Sequence, residues 1–178
     1  MGKYSEKLMG KKIAVIGGSS GIGFGAVEAL LDVGAQVIII SSSEARVNDA
    51  VVRLNSPKVS GQVGDVRAEE DFTKLLISLA PLDHIVFSGV DVIKGLASEL
   101  MDKKIRVNTV VPGLVQTELW EKLGKTKEEQ KKIFEDGGKA LSVGFVATPE
   151  HIAEAYLYTV RADYANGTLV YIDGGVQL

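Results

Sequence analysis

The chain has 178 residues, 46% hydrophobic and 24% charged, with a formal net charge of −3 and no cysteine. That length and apolar fraction suit one globular domain with a substantial core, and the charge leaves no basic footprint for nucleic acid. Missing thiols exclude disulfides, cysteine nucleophiles and cysteine–zinc sites. Apolar stretches alternate with helical patterns along the whole chain. The spacing predicts strands over Lys12–Ile16, Gln36–Ile40, Val59–Val63, His84–Ser88, Ile105–Val110 and Thr168–Ile172. Between and after them it predicts helices over Gly21–Val33, Glu44–Leu54, Ala68–Leu79, Ile93–Asp102, Lys127–Lys139 and Pro149–Arg161. Gly34 is placed to end the first helix, and Thr148-Pro149 to begin the last. Such alternation implies an α/β fold, a Rossmann-like doubly wound parallel sheet of about six strands, in one domain over residues 1–178. Trp120–Val146 is the least regular stretch, with four glycines, and reads as a surface excursion or a flap over a pocket.

Other compartments and partners follow from the same composition. A cysteine-free chain is compatible with the cell interior. Its start, Met1–Leu8, has no apolar signal core, and no run is long enough to span a bilayer. The expectation is a cytoplasmic protein with a small-molecule substrate or ligand, without nucleic acid or membrane partners. Two histidines, His84 and His151, lack the carboxylate or cysteine spacing of a metal site.

The densest information lies in Ile13–Gly23. An apolar run stops at Gly17-Gly18-Ser19-Ser20-Gly21-Ile22-Gly23, and a helical pattern starts at once. That strand–turn–helix context turns a glycine motif into a candidate pyrophosphate cradle. Gly17 permits the turn, Gly21 lets the backbone approach a phosphate, and Gly23 lets the helix pack close to the strand. The free N–H groups and positive dipole end of the helix then face the anion.

In a parallel sheet, ligands lie beyond the carboxyl ends of the strands, so the residue after each strand carries the argument. After the second come Ser41, Ser42 and Ser43, with Arg46 nearby. An acidic residue there would hold a ribose 2′-hydroxyl; small hydroxyls and an arginine suit a 2′-phosphate, hence NADP(H) rather than NAD. The serines also suit a helix N-cap. After the third strand, Gly64, Asp65 and Val66 are placed for an adenine edge. Ser88 and Gly89 follow the fourth, close to the cofactor backbone.

These pieces together resemble the short-chain dehydrogenase/reductase family. The resemblance rests on the glycine turn, Asp65-Val66, Phe87-Ser88-Gly89, Ile105-Arg106-Val107-Asn108, Pro112-Gly113-Leu114-Val115-Gln116-Thr117 and Asp173-Gly174-Gly175, in family order over nearly the whole chain. It implies a nicotinamide cofactor, with Pro112, Gly113, Val115 and Thr117 toward the carboxamide. The serines after the second strand resemble NADP-preferring members. In the family a serine and a Tyr-x-x-x-Lys segment do the chemistry, the tyrosine passing a proton and the lysine lowering its pKa.

This chain departs there. Its tyrosines are Tyr4, Tyr156, Tyr158, Tyr164 and Tyr171, and the residues four places on are Leu8, Val160, Ala162, Thr168 and Gly175. Ser88–Ile93 resembles the stretch after the family's fourth strand, whereas Lys94–Leu100 resembles the end of the helix after the catalytic tyrosine. The chain therefore reads as one strand–helix unit shorter than the family, joined near Ile93–Lys94, with Lys94 a surface residue. The strand beginning at Ile105 is expected to take the lost strand's place. The family's dimer helices are altered, so a homo-oligomer through a different face is expected.

Polar groups left near strand ends are Ser88, Asp91, Asn108, Thr117 and Glu118, of which Asp91, Thr117 and Ser88 are the candidates for chemistry. Trp120 and Phe134 are candidates to line an apolar pocket. Three readings stand open. One is an NADP-dependent oxidoreductase on CH–OH or C=O groups with a different proton donor. Another is a non-redox isomerase, lyase or cyclase acting on a small, largely apolar metabolite. The last is a non-catalytic partner of a full-length relative, with a bound nucleotide that no longer reacts.

Overall fold

The computed structural model describes residues 6–88 and 106–176. Its chain divides into two compact units, residues 1–89 and 90–178. The expected helix Ile93–Asp102, with Lys94, Gly89 and Asp91, lies outside the described residues.

In the first unit a 3-10 turn, Glu6–Leu8, leads to β1 (Lys12–Ile16), α1 (Gly21–Asp32), β2 (Gln36–Ser41), α2 (Glu44–Leu54), β3 (Val59–Val63), α3 (Glu69–Ser78) and β4 (His84–Phe87). The four strands form one parallel sheet in the order β3-β2-β1-β4. Register pairs Ile16 with Ile40 and with Phe87, and Ser41 with Val63, so all four carboxyl ends share one edge. The chain winds outward from β1 to β3 and then returns to β4, which puts the topological switch between β1 and β4.

Alternation along the strands fills both faces. Ala14, Ile16, Ile38 and Ile40 form a cluster against which Phe72, Leu75, Leu76 and Leu79 of the α3 region pack, with Leu82 and Phe87. Ile13, Val15, Val37 and Ile39 point the other way and are buried. On that side lie α1, through Val27, and α2, through Val47 where it rides close over β3 at Gly61. Helices thus cover both faces of this sheet, as the doubly wound reading requires. Gly34, at φ +87°, donates its N–H to Leu31 O and ends α1 as anticipated.

At the opposite, amino edge Asp83 ties β1 to β4. Its carboxylate accepts from Lys11 Nζ and from the Lys12 N–H, both at 2.8 Å. These bonds, the Lys11 one foremost, hold the Asp83 carboxyl below its ordinary pKa. A depressed folded-state value means the contribution is present above the unfolded value, near 4, and is lost as pH falls through the folded one. With the side chain 35% exposed, Asp83→Asn is expected to cost less than about 1 kcal/mol at pH 7. Urea denaturation between pH 7 and pH 2.5 should then show a flatter acid limb than the parent chain.

The second unit holds β5 (Thr109–Pro112), the short α4 (Leu119–Lys122), α5 (Lys127–Ala140), α6 (Pro149–Arg161) and β6 (Leu169–Ile172). β5 and β6 pair in parallel, Thr109 opposite Leu169 and Pro112 opposite Ile172. The six described strands therefore fall into a four-stranded sheet in the first unit and a two-stranded sheet in the second. Thr126 caps α5 through the Glu129 N–H, and Glu129 reaches back to the Thr126 N–H at 2.9 Å. At α6 the exposed His151 plays that return role: its Nδ1 accepts the Thr148 N–H at 3.1 Å.

β5 starts four residues later than Ile105. The reason lies in three side-chain and backbone commitments. Arg106 is spent on carbonyls around the end of α6. Val107 N–H bonds Asn166 Oδ1, and Asn108 bridges Ala165 O and the Thr168 N–H. Local side-chain bonding here displaces the ladder. The excursion Trp120–Val146 is largely helical.

Candidate active site

The carboxyl edge of the first sheet is built from the glycine turn upward. Gly17 leaves β1 at φ +81° and donates its N–H to Ile40 O at 2.8 Å, fastening the turn to β2. A Cβ on Gly17 would sit 2.6 Å from Ser88 O, and one on Gly23 would sit 2.2 Å from Gly17 O. The turn, the first helical turn of α1 and the end of β4 are therefore packed as closely as backbone allows. Ser88 N–H bonds Ile16 O at 2.8 Å, which places Ser88 beside Gly17 across the switch point. Ser20 stands at the N-cap of α1 in extended geometry, and its side chain makes no cap bond. Ser19 is buried and Gly21 opens the helix with φ +54°. Gly17, Ser19, Ser20, Gly21, Ile22, Gly23 and Ser88 thus come together at one helix N-terminus.

Next along the edge, Ser43 caps α2, its Oγ accepting the Arg46 N–H at 3.5 Å. Arg46 is exposed, and Gly64 N–H bonds Ser41 O at 3.0 Å, joining the β2 and β3 ends. Beyond β3, Asp65 is gripped by a residue that sequence reasoning passed over. Arg67 Nε reaches both carboxylate oxygens at 3.0 and 3.1 Å, its Nη2 reaches Oδ2 at 2.6 Å, and its N–H reaches Oδ1 at 3.0 Å. These bonds lower the Asp65 carboxyl to about 2. The only signal in the sequence was the Asp-x-Arg spacing after a strand.

In the second unit, Pro112 ends β5 and Gly113 donates to Ile172 O at 2.9 Å. A Cβ on Gly113 would sit 2.7 Å from the Asp173 backbone, which explains why a glycine meets the Asp173-Gly174-Gly175 turn. Val115 is buried, bridges to Ala147, and its carbonyl accepts Trp120 Nε1 at 2.9 Å. Thr117 Oγ1 accepts the Leu119 N–H at 3.4 Å and so helps start α4. Asn108 is corrected: it lies at the amino end of β5 with its amide bonded on both sides, at the wrong end of the strand for a ligand.

Trp120 and Phe134 meet edge to face, with ring centroids 5.8 Å apart. Phe134, Phe145 and Val146 line an open groove of about 520 Å³ on α5, rimmed by Lys127, Lys131 and Lys139. Lys127 is paired with Glu121. Among the described residues no His, Cys, Asp or Glu cluster gathers as a metal site, and no helix is long and apolar enough to cross a membrane.

A parallel sheet in 3-2-1-4 order, with a glycine turn and helix N-terminus at its switch point, defines a Rossmann-like α/β fold. Two family descriptions match: "SDR-like rossmann domain" over residues 4–93 and "Enoyl-(Acyl carrier protein) reductase" over residues 89–177. The chain belongs to the short-chain dehydrogenase/reductase family. It is 28% identical to the short-chain dehydrogenase/reductase fsr5 of Gibberella fujikuroi, across 98% of this chain and 68% of that protein. It is 33% identical to carbonyl reductase family member 4 of Xenopus laevis across 48% of this chain, which is 32% of that protein. Among solved structures, a MalC reductase/Diels-Alderase from Malbranchea aurantiaca superposes with a TM-score of 0.82 at 22% identity, covering 97% of this chain and 98% of the other. An L-sorbose reductase from Gluconobacter frateurii, complexed with NADPH and L-sorbose, gives 0.79 at 18% identity, covering 96% and 98%.

Proposed function

We propose that this protein binds NADP(H) in the cytoplasm and does not perform the tyrosine-driven carbonyl reduction of its family. The observation that carries the binding half is the glycine turn at the switch point, where Gly17 and Gly23 admit no Cβ and the N-terminus of α1 has no side-chain cap on its N–H groups. The residues present fit a dinucleotide. Gly17, Ser19, Ser20, Gly21, Ile22 and Gly23 would hold the pyrophosphate, and Ser41, Ser42, Ser43 and Arg46 a 2′-phosphate. Asp65 and Val66 would lie at the adenine, with Ser88 and Gly89 along the cofactor. Pro112, Gly113, Val115 and Thr117 are, by family resemblance, the carboxamide contacts. The nicotinamide, when bound, supplies or accepts a hydride; a proton donor of matching pKa must come from the chain. No tyrosine here has a lysine four residues on, which carries the second half of the proposal. Asp91, Thr117 and Ser88 are the groups left to move a proton. NADPH oxidation followed at 340 nm over a panel of aldehydes and ketones tests this half. No turnover is expected, and turnover at family rates would overturn it.

A non-redox reading, an isomerase, lyase or cyclase for a small apolar metabolite, is favoured by the groove on α5 with its Phe134, Phe145 and Val146 floor. The related fold of the Malbranchea aurantiaca reductase/Diels-Alderase adds to it. Product formed without cofactor, and lost in Thr117→Val, would support that reading.

A further inference from the structure

We propose that Arg67 supplies the flat surface on which the adenine of the bound nucleotide is laid, with Asp65 as the clamp that holds it there. This rests on the nucleotide-binding reading above and assigns a base contact to a residue outside the glycine turn. Three observations carry it. First, the Asp65–Arg67 fork follows directly from β3, and the Gly64–Ser41 bond fixes it beside the β2 end, where the 2′-phosphate is assigned. Second, the guanidinium is immobilised: Nε and Nη2 take both carboxylate oxygens, and the Arg67 N–H takes Oδ1 as well. An arginine normally loses rotamer freedom when a ligand stacks on it; here the fork has already fixed the plane. Third, the Arg67 side chain remains 83% exposed, so its faces are open although its edge is used.

Charge decides between base and phosphate. Asp65 neutralises Arg67, so the fork offers little net attraction for a phosphate, and the low carboxyl pKa keeps the pair ionised from about pH 4 upward. A planar guanidinium still binds an aromatic ring through its face. Asp65 in turn has its acceptor sites shared with Arg67, which leaves less capacity to read the exocyclic amino group of the base. The site therefore recognises the base by its plane more than by its edge. Arg46 makes no ion pair among the described residues and is the better phosphate ligand.

Calorimetric titration of the full chain with 5′-AMP and with adenosine 2′,5′-bisphosphate tests this. Arg67→Ala should weaken both ligands by the same factor, about fivefold, and Arg67→Lys should not restore them because it keeps charge without a plane. Arg46→Ala should weaken only the bisphosphate. Thermal midpoints should stay unchanged in the Arg67 variants, since the fork is a surface pair. An Arg67→Ala effect confined to the bisphosphate, rescue by lysine, or no change in either ligand would overturn the inference while leaving nucleotide binding intact. If the unmodified chain binds neither ligand, the nucleotide reading itself falls.

Discussion

Replacing Gly23 with alanine is expected to destabilise the first unit by about 3 kcal/mol and to abolish nucleotide binding. Two effects oppose each other at this position. Alanine in a helix interior is favoured over glycine by roughly 1 kcal/mol. The new Cβ, however, would sit 2.2 Å from Gly17 O and 2.8 Å from Gly17 C. Those are backbone atoms, fixed in turn by the Gly17–Ile40 bond, so no side-chain rotation relieves the overlap. The steric term wins, and α1 is forced away from the turn whose N–H groups form the cradle. Gly10→Ala is the control: its φ is +74° with nothing within 4 Å, so it should cost only about 1–2 kcal/mol, from conformation alone. Urea denaturation of both variants separates the two effects. A Gly23→Ala protein as stable as its parent would mean the turn is not packed as described.

The second large effect is expected at Arg106. Its Nη1 donates to Thr159 O at 2.9 Å, Ala162 O at 3.0 Å and Ala165 O at 2.8 Å, while Nη2 donates to Val160 O at 2.9 Å. One cation thus serves carbonyls at and just past the end of α6, where the helix dipole is negative. Bonds to a charged donor contribute roughly 1.5–3 kcal/mol each, but three of these share the two N–H groups of Nη1, so they do not add. Arg106→Ala is expected to cost about 3–4 kcal/mol and to leave those carbonyls without their donor. Arg106→Lys, with a single compact ammonium, should recover less than half. Hydrogen exchange over Tyr158–Gly167 should rise in the alanine variant before the rest of the second unit. Unchanged protection there would contradict the role.

Both residues show what kind of information a sequence carries. Gly17–Gly23 was legible because β1 is a short apolar run that stops at glycines, and α1 begins on the next residue. The strands of the first sheet appear within a residue of expectation; β1 and β2, buried on both faces, read as continuous apolar runs. Arg106 lies within a stretch that resembles a family motif, yet its role is structural, set by carbonyls 53 to 59 residues away along the chain. The same tertiary commitments moved the start of β5 from Ile105 to Thr109 and removed Asn108 from the site. The four-residue α4 is too short to show a helical period. Arg67 escaped notice because its partner is two residues off in a turn, where no periodicity points. That no tyrosine of this chain has a lysine four residues on is, by contrast, legible by counting alone.

The central claim is that the cradle still binds NADP(H). Calorimetric titration of the full chain with NADPH and with NADH tests it directly. The account predicts binding of NADPH, with NADH weaker by roughly tenfold or more through loss of the 2′-phosphate contacts. No heat of binding with either nucleotide, at millimolar concentrations, would contradict it.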